Sequence, residues 1–213
     1  MTFNCKNKLG FSLLAAGLLL IASVGQAATM PTSITQFTAK VTTDVFSVKS
    51  TGWLDPAFGD MGWTHNSDWG TVTALKDDIV KIKLVAVAVG IHPAITVWFR
   101  GKQDTAKDNY VVDHFYPQNA NFVEFGATDE TSGAELGNIV MRHITHGYDA
   151  DGHQLNITDM KPKKDKVSGQ LILNFKATRS GRYMFVVGGV NPDVGVNSAI
   201  AHKINVRVNV IKP

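Results

Sequence analysis

The chain has 213 residues, of which 44% are apolar and 18% are charged, and its formal net charge is +3. This composition is typical of a globular protein and excludes a disordered chain, a collagen-like repeat and a coiled coil. The single cysteine, Cys5, excludes an intramolecular disulfide framework and any metal site that needs several cysteines.

Residues 1–27 have the parts of a secretory signal peptide. Lys6 and Lys8 form a positive region, Leu9–Val24 form an apolar region, and small residues precede a cleavage site at the end of the segment. We therefore expect a secreted mature protein, residues 28–213, that forms a single domain and contains no cysteine. Loss of the two lysines brings bases and acids nearly into balance, which argues against nucleic acid or an anionic membrane as a partner.

The mature chain is a succession of strand-like runs with turn signals between them. The predicted strands are Ile34–Val48, Ile79–Val89, Ala94–Phe99, Ile139–His146, Gln170–Ala177, Arg182–Val187 and Lys203–Ile211. No window has convincing helical periodicity. The sequence therefore predicts an all-β protein, an antiparallel β-sandwich with long loops and little helix. Two stretches, Ser50–Gly70 and Gly101–Gly137, are predicted to be irregular, and loops of this length often carry function.

The first of these loops is rich in tryptophan. Three of the four tryptophans lie between Trp53 and Trp69, and Trp63 stands two positions before His65. In an extended segment that spacing places both side chains on the same face. The alternative is a hydrophobic cluster under a long loop, with His65 as a capping or solvent-facing residue.

The other histidines are weaker candidates for a site. His114 has apolar and aromatic neighbours, so it is either a partly buried metal ligand or a satisfied core histidine. His143 and His146 fall on a predicted strand, where an i, i+3 pair faces apart, so at most one of them is expected to join a site. The remaining histidines favour structural or exposed roles, with His153 in an exposed turn: His92, His153 and His202.

Without a mature cysteine, a blue-copper centre is excluded, since it needs a thiolate ligand. The signal peptide, the cysteine-free β-rich body and the motif Trp63-Thr64-His65 resemble the CorA and MopE family of methanotroph surface copper-binding proteins. The resemblance covers essentially the whole mature chain. It implies a protein at the cell surface that acquires copper. We further expect a monomer that is not an enzyme. Because the mature chain has no membrane-spanning run and no cysteine to carry a lipid, any association with the outer membrane or with a surface protein is expected to be non-covalent.

The same resemblance implies one mononuclear copper(I) site, made from two histidines and a kynurenine derived from tryptophan. Trp63 then corresponds to the modified residue, His65 to the first imidazole and His114 to the second. His143 and His146 remain the alternatives for that second ligand.

A different class of function is a secreted module that binds carbohydrate or protein through its tryptophan cluster. This alternative requires exposed tryptophan side chains. A secreted hydrolase is disfavoured because the candidate carboxylates are scattered over loops without a telling spacing.

Overall fold

A computed structural model describes residues 28–29, 34–49, 67–107, 110–112, 121–129, 131–152, 161–190, 193, 195–197 and 200–213. The predicted signal peptide lies outside the described residues.

The described residues form thirteen strands and no helix, which confirms the all-β prediction. The strands are β1 (Ala28–Thr29), β2 (Ile34–Phe37), β3 (Thr43–Lys49), β4 (Asp68–Ala74), β5 (Ile79–Ala86), β6 (His92–Arg100), β7 (Val111–Val112), β8 (Phe122–Thr128), β9 (Glu135–Asp149), β10 (Pro162–Lys163), β11 (Gln170–Lys176), β12 (Gly181–Val190) and β13 (Ala201–Ile211).

Most strands belong to two sheets that pack face to face. The larger sheet has the order β10-β9-β6-β12-β4-β2, with β8 also paired to β9, and the smaller has the order β11-β5-β13-β3. Strands β1 and β7 form a separate pair. Apart from the parallel pairs β2–β4 and β10–β9, neighbouring strands are antiparallel. The predicted antiparallel sandwich is therefore confirmed.

In the described ranges, no helix has the length and apolar character needed to cross a membrane.

The space between the two sheets is the inner core, a cluster of buried apolar side chains. The last strand, β13, alternates buried and exposed positions, because only one face of the smaller sheet is covered. Its Ile204, Val206 and Val208 belong to the inner core together with Phe99 and Phe185 of the larger sheet. Burial of these side chains is the main force that holds the sheets together.

The opposite face of the larger sheet is covered as well, so all nine positions of β6 are buried. The outer cluster on this face comprises Trp69, Trp98, Ala106, Val111, Phe122, Ala127, Ile139, Met141, Met184 and Val186. Trp69 and Trp98 stack at its centre, with ring centroids 5.9 Å apart. The second layer that covers them comes mainly from the chain between β6 and β9.

The strand prediction misses the two-residue strands β1, β7 and β10, and three larger details of it are wrong. The run Ile34–Val48 is two strands in different sheets. The second predicted loop, Gly101–Gly137, contains β8. Buried and exposed residues do not alternate regularly along β8, and Gly126 has a φ of 67°, so the sequence has no period-2 pattern of apolar residues there. The third error is β4, which was not predicted and whose first residues fall in the predicted irregular stretch Ser50–Gly70. A glycine is needed at position 70, since a Cβ would lie 2.3 Å from Cζ of Phe185.

Candidate metal site

A β-bulge in β9 brings two histidines to one face of the larger sheet. Trp98 of β6 pairs with His143 and Val97 pairs with Thr145, so Ile144 is the extra residue of the bulge. Before the next pair, Thr96 with His146, the alternation of β9 has been shifted by one position. The prediction that His143 and His146 face apart is wrong, because it assumed a regular strand.

The two imidazoles are in direct contact. Nε2 of His143 and Nδ1 of His146 are 3.1 Å apart, and the ring centroids are separated by 5.1 Å. The rings are inclined at 50°, which suits a hydrogen bond in which one ring nitrogen donates and the other accepts. We call this pair the histidine dyad. The i, i+3 spacing is visible in the sequence but predicted that the two rings face apart, and the bulge that brings them together was not predictable from the residues.

The dyad is held firmly in place. His146 is 2% exposed and His143 is half-buried. The backbone N–H of His143 donates to Oδ1 of Asn121, 2.9 Å away, which ties β9 to the start of β8. Loss of solvation lowers the pKa of His143 to about 4, with further contributions from His146 and Lys161. At neutral pH His143 is therefore uncharged, the state in which an imidazole binds a metal.

Cross-strand pairing connects the dyad to the aromatic outer cluster. One row of paired residues runs across the sheet from Trp69 through Val186 and Thr96 to His146. The hydroxyl of Thr96 is fully buried and has no hydrogen-bond partner among the described residues. Because neighbouring strands are about 4.8 Å apart, roughly 14 Å separates the backbones of Trp69 and His146. The row therefore joins the Trp69 ring of the outer cluster to the imidazole of His146 on one face of the sheet.

The three ligands predicted from the sequence, Trp63, His65 and His114, lie outside the described residues. Their segments join the described part at Ser67 on one side and at Val112 and Asn121 on the other. Ser67 is buried and Asn121 contacts the dyad.

Two further histidines have structural contacts. His92 is fully buried, with Nδ1 2.9 Å from Oδ2 of Asp149 and Nε2 3.3 Å from Oδ1 of Asp193. Burial lowers the pKa of His92, but the hydrogen bonds and charges of the two carboxylates outweigh it, so the pKa is raised overall. The Nε2–H of His202 donates to the carbonyl of Asn197 at 2.7 Å. Among the described residues, no three histidine, cysteine or acidic side chains come together as a metal site.

The tryptophans in the described ranges do not offer a binding surface. Trp69 is 1% exposed and Trp98 is 2% exposed. Neither ring can stack on a sugar or enter a partner's pocket without disruption of the outer cluster. Trp69, one of the three clustered tryptophans, is therefore not available to bind carbohydrate or protein, which weakens that alternative function.

Comparisons with known proteins agree with this architecture. The chain is similar to CorA of Methylomicrobium album BG8, described as a surface-associated copper-binding protein important in copper acquisition, with 32% identity and a TM-score of 0.77. That match covers 85% of this chain and 99% of CorA. A search of curated protein sequences finds no match.

A second solved structure shares the fold. The secreted protein MopE of Methylococcus capsulatus, in which an oxidised tryptophan facilitates copper binding, has 14% identity and a TM-score of 0.55. The match covers 88% of this chain and all of the MopE structure. The profile of the family described as copper(I)-binding protein CorA-like matches residues 25–197. The chain belongs to this CorA-like family.

Proposed function

We propose that this protein binds copper(I) and serves in copper acquisition. The observation that carries the proposal is its 32% identity, over 85% of the chain, to the copper-binding protein CorA. The matched relatives are described as surface-associated or secreted, which supports export of this chain and residence at the cell surface. We propose that residues 1–27 are the signal peptide that directs this export, and that attachment to the surface is non-covalent.

The proposed centre is mononuclear and consists of Trp63, His65 and His114. Its location is supported by the anchors of the two segments, since His65 stands four positions before Trp69 in the sequence. At about 3.3–3.6 Å per residue, four positions of chain limit the distance between His65 and Trp69 to roughly 14 Å. His114 is two positions beyond Val112, in the segment between Val112 and Asn121. The side chain of Asn121 accepts a hydrogen bond from the N–H of His143 in the dyad.

Trp63 can become a ligand only after modification. An indole N–H donates a hydrogen bond but has no basic lone pair. Oxidative cleavage of the pyrrole ring by dioxygen, followed by hydrolysis that releases formate, gives kynurenine, whose arylamine nitrogen has a lone pair. An oxidised tryptophan that facilitates copper binding in MopE supports this assignment.

The donor set suits the reduced ion. Two neutral imidazoles and one weak arylamine contribute no negative charge, and the aromatic surroundings disfavour a more highly charged ion. The centre lacks a group suited to general acid or base catalysis, so we propose capture and retention of copper, not turnover.

The test uses protein isolated from the medium or surface of its own host grown with copper. We expect bound copper in the reduced state, and a mass on the peptide containing Trp63 that corresponds to loss of one carbon and gain of one oxygen. Copper-loaded protein in which every tryptophan is unmodified would refute the kynurenine ligand. His65→Ala should abolish copper binding at the centre, whereas His153→Ala, in a predicted exposed turn, should leave it unchanged.

A further inference from the structure

The charges of the mature chain are not evenly spread over the sandwich. The four strands of the smaller sheet contain six lysines and arginines but a single acid, Asp44. The chain between β6 and β9, residues 101–134, has the opposite bias, with two lysines and six acids. The near balance of charge in the whole chain therefore conceals a marked excess of basic residues in the smaller sheet.

The bases lie on the exposed side of the smaller sheet, which we call the basic face. Lys203 and Arg207 are exposed on β13, and Lys81 and Lys83 are partly exposed on β5. These positions alternate with buried residues of the inner core. None of the four forms an ion pair in the part of the chain that the structure describes. Their positive charge is therefore available to an anionic partner.

Two of these charges are held directly opposite each other. Arg207 of β13 pairs with Lys83 of β5, and Lys81 stands at the next position of β5 on the same face. Directly opposite residues have their Cβ atoms only about 4.5–5.5 Å apart, so like charges in such a pair destabilise the sheet. An anion bound between the two side chains would remove this repulsion.

An open depression lies between these side chains. It has a volume of about 590 Å³, and its lining includes Lys83, Arg207 and the apolar side chain of Val45. Asp44 also lines it, but the Asp44 carboxylate already accepts hydrogen bonds from the hydroxyl of Thr35 and from the N–H of Val45. A guanidinium beside an ammonium is well suited to phosphate, which arginine binds through two parallel hydrogen bonds.

The shape of the face favours a lipid surface over nucleic acid. No aromatic residue is exposed on the four strands, so single-stranded bases would have nothing on which to stack. The major groove of duplex DNA, about 12 Å wide, admits a helix or a two-stranded ribbon, and a face of four strands is too broad for it. A lipid surface requires only a broad basic face, and the similar protein CorA is described as surface-associated.

We propose that the basic face, centred on Lys83 and Arg207, attaches the protein to a lipid surface that carries phosphate groups. The larger sheet then lies on the side away from the lipid. The segments that carry the proposed copper ligands join this larger sheet next to β4 and β8. The inference rests on the proposed residence at the cell surface, and it does not depend on which residues bind copper.

The experiment measures sedimentation of the mature protein with vesicles of phosphatidylglycerol and phosphatidylcholine in equal parts. We expect binding to these vesicles at low ionic strength, none to phosphatidylcholine alone, and progressive loss as sodium chloride screens the charges. Lys83→Gln/Arg207→Gln should weaken binding about 25-fold, at about fivefold for each basic residue near an anionic surface. This variant should unfold at no lower temperature than the wild type, because the substitutions remove a contact between like charges.

The matched control is Lys102→Gln/Lys107→Gln. It makes the same change in net charge at two exposed lysines between β6 and β9, away from the basic face, and should bind like the wild type. Equal losses in the two variants would show that net charge, and not this face, drives binding. The inference is also overturned if the wild type binds a DNA duplex but not the vesicles, or if inorganic phosphate releases it more effectively than chloride at equal ionic strength.

Two further measurements separate this inference from the proposed function. Copper(I) titration of Lys83→Gln/Arg207→Gln should give the wild-type stoichiometry, and vesicle binding by a wild type that binds no copper would refute the copper function alone. In the native host, the wild type should be recovered with the cells and the variant from the medium. Wild-type protein found only in the medium would refute residence at the surface, whereas a variant retained on the cells would refute attachment through the basic face.

Discussion

The buried ion pair between Arg100 and Asp104 offers a sharp test of how the outer layer is held. Both side chains are fully buried, and the guanidinium makes two parallel hydrogen bonds to the carboxylate, of 2.8 Å and 2.7 Å. The third nitrogen of Arg100 donates to the carbonyl of Tyr110, and Oδ2 of Asp104 also accepts from the N–H of Val140. This network fixes β6, β9 and the segment that leads toward His114.

The perturbation is Asp104→Asn, which keeps the shape of the side chain but removes the negative charge that accepts both parallel hydrogen bonds from Arg100. Removal of one member of a buried ion pair costs about 3–5 kcal/mol. Asparagine retains one acceptor oxygen, so we expect the low end, about 3 kcal/mol, and a fall of about 6–12 °C in the unfolding temperature.

The assay is thermal and urea unfolding of the mature protein, with Asp77→Asn as the control. Asp77 pairs with Lys176 at 2.8 Å, but its side chain is 47% exposed and that of Lys176 is 61% exposed. Exposed pairs contribute little to stability, so the control should unfold at nearly the wild-type temperature. Equal effects of the two substitutions would mean that burial does not set the strength of the Arg100–Asp104 pair.

Three further predictions concern the sandwich itself. Because the folded-state pKa of His92 is raised, its stabilising contribution is complete below about pH 6.5 and is lost as the pH rises through the raised value. The unfolding temperature of the wild type should therefore fall across this pH range. The part of the fall that is due to His92 should be absent in His92→Gln. Gly70→Ala places a Cβ 2.3 Å from the Phe185 ring, and urea unfolding should reveal a loss of about 1–3 kcal/mol. Tyr183→Phe removes a hydrogen bond of 2.8 Å to the carbonyl of Arg179, and should cost about 1 kcal/mol in the same assay.

The fold was largely predictable because burial of one face of a strand makes apolar and polar residues alternate along the sequence. The last strand alternates without interruption, and the predicted run Lys203–Ile211 lies within the observed β13. Strands whose burial has another cause were missed. In β4, a glycine gives space to Phe185, and its neighbour Trp69 contacts a second layer that the pattern cannot indicate. Tertiary packing, not local preference, makes that segment a strand.

The dyad illustrates the same limit at the level of a site. The sequence contains both histidines at a visible spacing, yet their common orientation depends on one extra residue, Ile144, opposite β6. A bulge is a property of how two strands pair, so it depends on β6 and β9 together and cannot be predicted from the sequence of either strand alone. A shift of one residue reverses the face of every following side chain. The register of β9, more than the identity of its histidines, therefore determines whether the two rings meet, and deletion of Ile144 should separate them while both imidazoles remain in the chain.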